Sequence, residues 1–273
     1  MKYGCCFNML SSAPGGTGSE HLKLFRSAGY DYAELPLAEI MSLSQDGYRR
    51  LRDDLRESGL PCESFNNFFP PVMRLTGPDV DFNAVSSYVD RAVGTAAEFG
   101  AQTIVFGSGG AKRYPETFSR SEAYAQIVRL LKYVDGVAAQ QGITIAIEPL
   151  RKAECNIINT FEEGVWLARD VGGTHVKVLV DLYHLAEENE PLSHVSEYGR
   201  GCLTHVHFAN PAGRVFPRAG DGSGAIYRAF CETIAATGYN GRISVEAYSS
   251  DIKRDAPAAL AILKSDFEHN ERK

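Results

Sequence analysis

Four apolar runs in this chain end on side chains that can bind a metal ion or move a proton. Ile143–Ile147 leads into Glu148, Val176–Val180 into Asp181 and Ile243–Val245 into Glu246. Leu203–His207 carries His205 and His207 two positions apart, so an extended segment turns both to one side. Each has an ordinary explanation taken singly. A carboxylate after a strand, Asp181 for instance, is often the N-cap of the next helix, and a strand histidine is often a hydrogen-bonded core residue. Four successive strand ends of this kind are another matter. Carboxylates gathered in a partly buried mouth repel one another unless something positive lies between them. A divalent cation does that, and an imidazole with carboxylates suits Mn²⁺, Mg²⁺, Co²⁺ or Zn²⁺. The lack of a cysteine in the set argues against a structural zinc site.

Such residues need a frame that gathers strand ends. Short β-rich runs recur at Tyr3–Met9, Tyr32–Leu35, Cys62–Phe65, Thr103–Phe106, Thr144–Glu148, Lys177–Asp181, Thr204–Phe208 and Ile243–Glu246. Helical segments such as Phe82–Phe99 and Ser121–Gln141 lie between them. In the second, Ile127, Leu130, Leu131, Val134 and Val137 give one apolar face. Gly29, Gly59, Gly100, Gly142 and Gly238 sit where helices should close before the next strand. Strands separated by helices imply parallel pairing, and near-continuous apolar strands imply helical cover on the outside. The length of 273 residues suits an eightfold barrel, for which about 250 is typical. A doubly wound sheet is the rival, but no G-x-G-x-x-G follows the first strand. No linker or low-complexity stretch divides the chain. The expectation is an α/β fold, a (β/α)8 TIM barrel forming one domain over 1–273, with functional groups at the carboxyl ends of its strands.

Composition narrows the partners. Hydrophobic residues make up 44% and charged residues 23%, as in ordinary globular proteins. The net charge of -6 gives no basic footprint for a nucleic acid. No apolar run approaches the roughly 20 residues of a membrane span, and Met1–Leu10 is too interrupted for a signal peptide. The 6 cysteines form no C-x-x-C pair and read as reduced core thiols. A cytoplasmic enzyme acting on a small molecule is the expectation, with no membrane partner.

At the strand-end residues the sequence resembles the xylose-isomerase-like sugar isomerase/epimerase superfamily, most nearly its ketose 3-epimerase branch. Glu148-Pro149-Leu150, Glu154 and Asn159-Thr160 fit that family's E-P-L-x-x-x-E-x-x-x-x-N-T. Asp181 and His184 fit its D-x-x-H. His205-Val206-His207 and Arg214 fit its H-x-H and downstream arginine, and Ile243–Glu246 fits its last ligand. The resemblance spans most of the chain and is densest from Ile143 onward. It implies one divalent metal, Mn²⁺ foremost, held by Glu148, Asp181, His207 and Glu246. It implies that Glu148 and Glu246 also move the proton, and that Glu154, His184 and Arg214 bind substrate oxygens. It leaves homo-oligomerisation open.

Some residues stay open on their own terms. His184 lies one helical turn after Asp181 and points to the same mouth, or else caps a helix end. Arg214 reaches a substrate oxygen or is a solvated loop residue. Glu34, Asn66 and Asn67 follow the second and third strands as substrate contacts or as core-edge groups. Gly107–Gly110, followed by Lys112 and Arg113, could cradle a phosphate but lacks the G-K-[ST] of a P-loop, which favours a plain flexible loop. Trp166, the single tryptophan, reads as helix packing.

The chemistry that suits the set is proton transfer at a carbon beside a carbonyl. A metal chelating the carbonyl and a neighbouring hydroxyl stabilises an enediolate, and two flanking carboxylates exchange the proton between its faces. A sugar epimerase or isomerase follows, with a ketose as substrate and C3 epimerisation as the reaction. Hydroxypyruvate-type aldose–ketose isomerisation and an inosose-dehydratase-like lyase share the barrel and the intermediate. A DNA-cleaving barrel with a zinc cluster would need more metal-binding histidines at the mouth than a chain with 7 in all offers. A sugar-binding protein without activity gains little from two flanking glutamates.

Overall fold

The computed structural model describes residues 1–271. Eight strands, β1 Lys2–Cys6, β2 Tyr32–Pro36, β3 Cys62–Asn66, β4 Thr103–Phe106, β5 Thr144–Ile147, β6 Val176–Asp181, β7 Leu203–Phe208 and β8 Arg242–Val245, close into a barrel in chain order. Every pairing is parallel, and β1 closes on β8. The helices are α1 Leu22–Ala28, α2 Leu37–Met41, α3 Gln45–Ser58, α4 Phe82–Glu98, α5 Gly109–Lys112, α6 Arg120–Gln141, α7 Phe161–Val171, α8 Leu182–Glu187, α9 Leu192–Tyr198, α10 Gly224–Ala236 and α11 Ile252–Glu271. The expected barrel is therefore the observed one. The five helix-closing glycines all have positive φ, the left-handed geometry that ends a helix cheaply without a Cβ.

Strand parity decides what faces where. Ile104 and Phe106, Ile145 and Ile147, and Val178 and Val180 belong to the large core between barrel and helices. The residues between them, Val105, Ala146 and Leu179, form a separate small cluster inside the barrel. Two steps further along the same strands come Gly107, Glu148 and Asp181, so these also face the barrel axis. On β7 and β8 the same alternation turns His205, His207, Ser244 and Glu246 inward, away from Val206, Phe208, Ile243 and Val245 in the outer core. One side of the barrel interior is thus apolar, from β4 to β6. The other side, from β7 round to β2, is polar.

The amino-terminal end of the barrel is closed by charge. Arg242 Nε lies 2.7 Å from Glu63 Oε2 and its Nη2 lies 2.7 Å from Gln102 Oε1, while Lys2 reaches Glu63 Oε1 at 2.6 Å. Above them the fully buried ring of Tyr32 fills the space left open by Gly4, and its hydroxyl pairs with Ser244 Oγ at 2.8 Å.

Two expectations change. The first strand ends at Cys6 rather than Met9, because the chain leaves the barrel there and turns, with Leu10 N bonded to Phe7 O. Trp166 is not core packing: it is 49% exposed on α7, beside Tyr124, Arg120 and Arg169 in a surface groove between α6 and α7. It lies on the helix face turned away from the barrel, which helical spacing alone could not decide.

A methyl group at position 4 would drive into the Tyr32 ring. Gly4→Ala should therefore destabilise the protein by about 1–3 kcal/mol through overpacking, read as a lower denaturant midpoint with an unchanged slope.

Candidate active site

The carboxyl ends of β5 to β8 converge on one imidazole. His207 is fully buried, and its Nδ1 lies 3.1 Å from Glu148 Oε1 and 2.8 Å from Glu246 Oε2. Ligand atoms of Glu148, Asp181, His207 and Glu246 all lie within 4.8 Å of one another, and all four residues are buried. The four sequence candidates are thus one cluster. Asp181 is also the N-cap of α8, its Oδ1 accepting from Tyr183 N at 2.7 Å, so the cap and the site use different oxygens of one carboxylate. Three carboxylates and one imidazole nitrogen, hard donors at this spacing, fit a divalent ion of the Mg²⁺–Mn²⁺–Zn²⁺ range. Cys6 Sγ lies 3.7 Å from His207 Nε2, but burial pushes its thiol well above the ordinary range and so keeps it a neutral neighbour.

Charge in the cluster is unevenly shared. Burial raises Glu148, and the nearby Glu246 raises it further. Burial also raises Asp181, to about 6 despite Arg214. Burial pushes Glu246 the same way, yet Arg214 and His207 overcome it and hold that carboxyl far below its ordinary value. For His207 burial acts downward, but its neighbours Cys6, Glu246 and Glu34 win and raise it well above the usual histidine range.

The three candidate substrate contacts ring this cluster. Arg214 Nη2 lies 2.5 Å from Glu246 Oε2 and 3.3 Å from Asp181 Oδ2, with its guanidinium 4.9 Å from the centre of the Tyr183 ring. It is not a solvated loop residue. The backbone at Arg214 has φ 51, and bridges from Val215 to Asn210 and to Tyr248 clamp the loop so that the side chain folds back into the mouth. His184 is buried on α8; its Nδ1 accepts from Arg151 N at 3.3 Å, so Nε2 carries the proton. That Nε2 has no hydrogen-bond partner among the described residues and lies 3.7 Å from Asp181 Oδ2 and 3.9 Å from Glu154 Oε2. It is a donor free for a ligand oxygen rather than a helix cap. Glu154 is held by Arg151 at 2.8 Å and remains partly exposed to the mouth.

Spacing did not single out the residues that hold these groups in place. A Cβ at position 107 would collide with the Glu148 carboxylate, so glycine there makes the carboxylate's seat. The glycine-rich segment is no flexible phosphate loop. It forms α5, whose fully buried Lys112 donates to the backbone oxygen of Glu148 at 3.0 Å, while Arg113 Nη2 donates to Ala153 O at 3.2 Å. Neither a phosphate nor solvent reaches Lys112. Asn66 bonds Asn8 across the mouth at 2.9 Å, and Asn67 bonds Glu39 at 3.0 Å, away from the cluster. Glu34 is fully buried and bonded to His205, His207 and Ser244, so it is not a substrate contact.

A family model described as xylose isomerase-like TIM barrel matches residues 22–266. The chain belongs to that family. Among curated relatives of this barrel family, a D-psicose 3-epimerase of Agrobacterium fabrum is 23% identical over 79% of this chain and 75% of its own length. A 3-dehydro-D-guloside 4-epimerase of Escherichia coli is 25% identical over 88% and 89%. Among solved structures, a D-allulose 3-epimerase from Methylomonas sp. in complex with D-allulose superposes with a TM-score of 0.83 at 22% identity, covering 97% of each chain. At that identity the superposition speaks for the barrel alone.

Two outcomes follow from this geometry. Gly107→Ala should weaken Mn²⁺ binding roughly tenfold or more while leaving the unfolding midpoint nearly unchanged, because the group it meets is the end of a side chain. Protons should compete with the metal first at His207 Nδ1 and then at Asp181, so apparent Mn²⁺ affinity measured by equilibrium dialysis should fall as pH is lowered, with Asp181 adding to the fall through about 6. The sign follows from the unprotonated Nδ1 and the carboxylate being the binding forms.

Proposed function

We propose that this chain is a metal-dependent sugar epimerase or isomerase that works through an enediolate, with C3 epimerisation of a ketose as its reaction. The observation that carries the reading is the buried Glu148–Asp181–His207–Glu246 cluster at the carboxyl end of the barrel. The curated relatives that match three quarters or more of its length are named as epimerases, which supports the same reaction class. A divalent ion at this cluster supplies a Lewis acid that stabilises negative charge on the oxygens beside the reacting carbon.

The residues of the chain divide the rest of the work. Asp181 and His207 serve as ligands. Glu148 and Glu246 would serve as ligands and as the two acid/base groups, one taking the proton from the C–H bond and the other delivering its own proton to the opposite face, both re-equilibrating with solvent between turnovers. Their surroundings differ, since Arg214 and His207 both lie against Glu246, whereas among the described residues only His207 lies against the Glu148 carboxylate. His184 Nε2–H and the Arg214 guanidinium donate to substrate oxygens, and Glu154 accepts from a hydroxyl. Burial of the cluster shields the intermediate from water during the transfer itself.

The Escherichia coli relative, named as an epimerase at carbon 4 of a 3-dehydro glycoside, supplies a second substrate shape. Both substrates carry a keto group next to the carbon that inverts, so one experiment covers them. Mn²⁺-loaded protein in deuterium oxide, incubated with a panel of ketohexoses, ketopentoses and 3-keto glycosides, should yield an epimer carrying deuterium at the inverted carbon. Aldose products or loss of water in its place would move the reading to an isomerase or a lyase, and no exchange with any substrate would contradict it. Glu246→Gln should lower kcat by roughly 10²–10⁴-fold.

A further inference from the structure

We propose that Glu34 is a positioning residue for this site: by accepting a hydrogen bond from His207 Nε2 it turns Nδ1 of the same ring toward Glu148 and Glu246 and holds it there for a divalent ion. The inference rests on the metal site of the preceding reading.

Glu34 sits on β2, across the barrel from the strand ends that carry the other carboxylates, and has no exposed surface. Its Oε1 is 2.9 Å from His207 Nε2, and its Oε2 is 2.7 Å from His205 Nε2 and 2.6 Å from Ser244 Oγ. A carboxylate in this setting only accepts, so both imidazoles must carry a proton on Nε2. For His207 that leaves Nδ1, the atom 2.8 Å from Glu246 Oε2 and 3.1 Å from Glu148 Oε1, as the nitrogen available to a metal. A ring held on one side only can turn over. This ring is held on both.

A barrel that merely needed filling here could use an aliphatic side chain, as it does at Val105, Ala146 and Leu179. A buried carboxylate is costly unless its hydrogen bonds are filled, and this one is supplied from three side chains. Ser244 is itself braced by the Tyr32 hydroxyl at 2.8 Å, so the chain of bonds runs from the barrel floor to the metal-facing nitrogen. A glutamine at position 34 has the same shape but offers one oxygen and one NH₂. The NH₂ would need an acceptor at one of the two Nε2 atoms. At His207 that moves the proton to the metal-facing nitrogen, and at His205 it moves the proton to an Nδ1 that is buried and without a partner among the described residues.

The test reads metal binding without turnover. Free Mn²⁺ is followed by electron paramagnetic resonance during titration of wild type, Glu34→Gln and Glu34→Asp. Glu34→Gln should bind about 10–100-fold more weakly, with Glu34→Asp in between because it restores the acceptor one carbon short. In Mg²⁺-loaded wild type, ¹⁵N spectra should show His207 protonated on Nε2 and not on Nδ1, a pattern lost in Glu34→Gln. Thermal midpoints of the metal-free proteins identify a variant that has not folded, and Glu34→Asp then decides by its own weakening. Wild-type Mn²⁺ affinity in Glu34→Gln, with the same His207 spectrum, would overturn the role given to Glu34. A wild type that binds no Mn²⁺ would instead overturn the metal site itself, and this inference with it.

Discussion

Everything at the carboxyl end of this barrel depends on keeping several carboxylates close together in a buried place. Glu148, Asp181 and Glu246 surround one face of His207, and Glu34 holds the other. Such a group is stable only while positive charge is interleaved with it, because desolvation and mutual repulsion both favour protonation. Without a metal the chain supplies two interleaving cations, the His207 imidazolium and the Arg214 guanidinium, and a divalent ion on Nδ1 would take the place of the imidazolium proton. On the proposed reading the divalent ion and Arg214 then carry the positive charge, and the same charge that permits the cluster does the chemistry.

The barrel meets this constraint through strand parity and a few small residues. Inward positions of β4 to β6 are apolar at the middle of the barrel and become Gly107, Glu148 and Asp181 two residues later. Gly107 leaves room for a carboxylate, and the short helix after it ties down the backbone of Glu148 and Ala153 through Lys112 and Arg113. Four of the five described residues with positive φ that are not glycine, Asn67, Ser108, Ile158 and Arg214, lie in loops that follow barrel strands, while Asn189 follows α8. Such backbone is costly for a β-branched residue like Ile158 and persists where the surroundings impose it. The amino-terminal end shows nothing comparable beyond its Lys2–Glu63–Arg242 network. Stability and site are thus placed at opposite ends.

Much of this was legible in the sequence, for a definite reason. A parallel strand buried on both faces reads as an unbroken apolar run, so the residue that ends the run stands out, and Glu148, Asp181 and Glu246 did. His207 stood out by its alternation with His205. What could not be read is where a long side chain goes once it leaves the backbone. Glu34 lies inside its strand, with Leu35 and Pro36 after it, and its carboxylate bonds the histidines rather than reaching out to the mouth. Lys112 sits in a stretch rich in glycine that looks mobile, and it becomes fully buried because a backbone oxygen across the chain accepts its proton. Arg214 depended on two isolated bridges that leave no periodic signal. Trp166 failed for the opposite reason, since a helix of known position still has an unknown outward face.

The central claim is that these residues hold one divalent ion between them. Anomalous diffraction at the manganese absorption edge, from crystals grown with Mn²⁺, tests it most directly. One strong peak is expected, bounded by carboxylate oxygens of Glu148, Asp181 and Glu246 and by Nδ1 of His207. A cluster without a peak, or a peak contacting none of the four, would contradict the account.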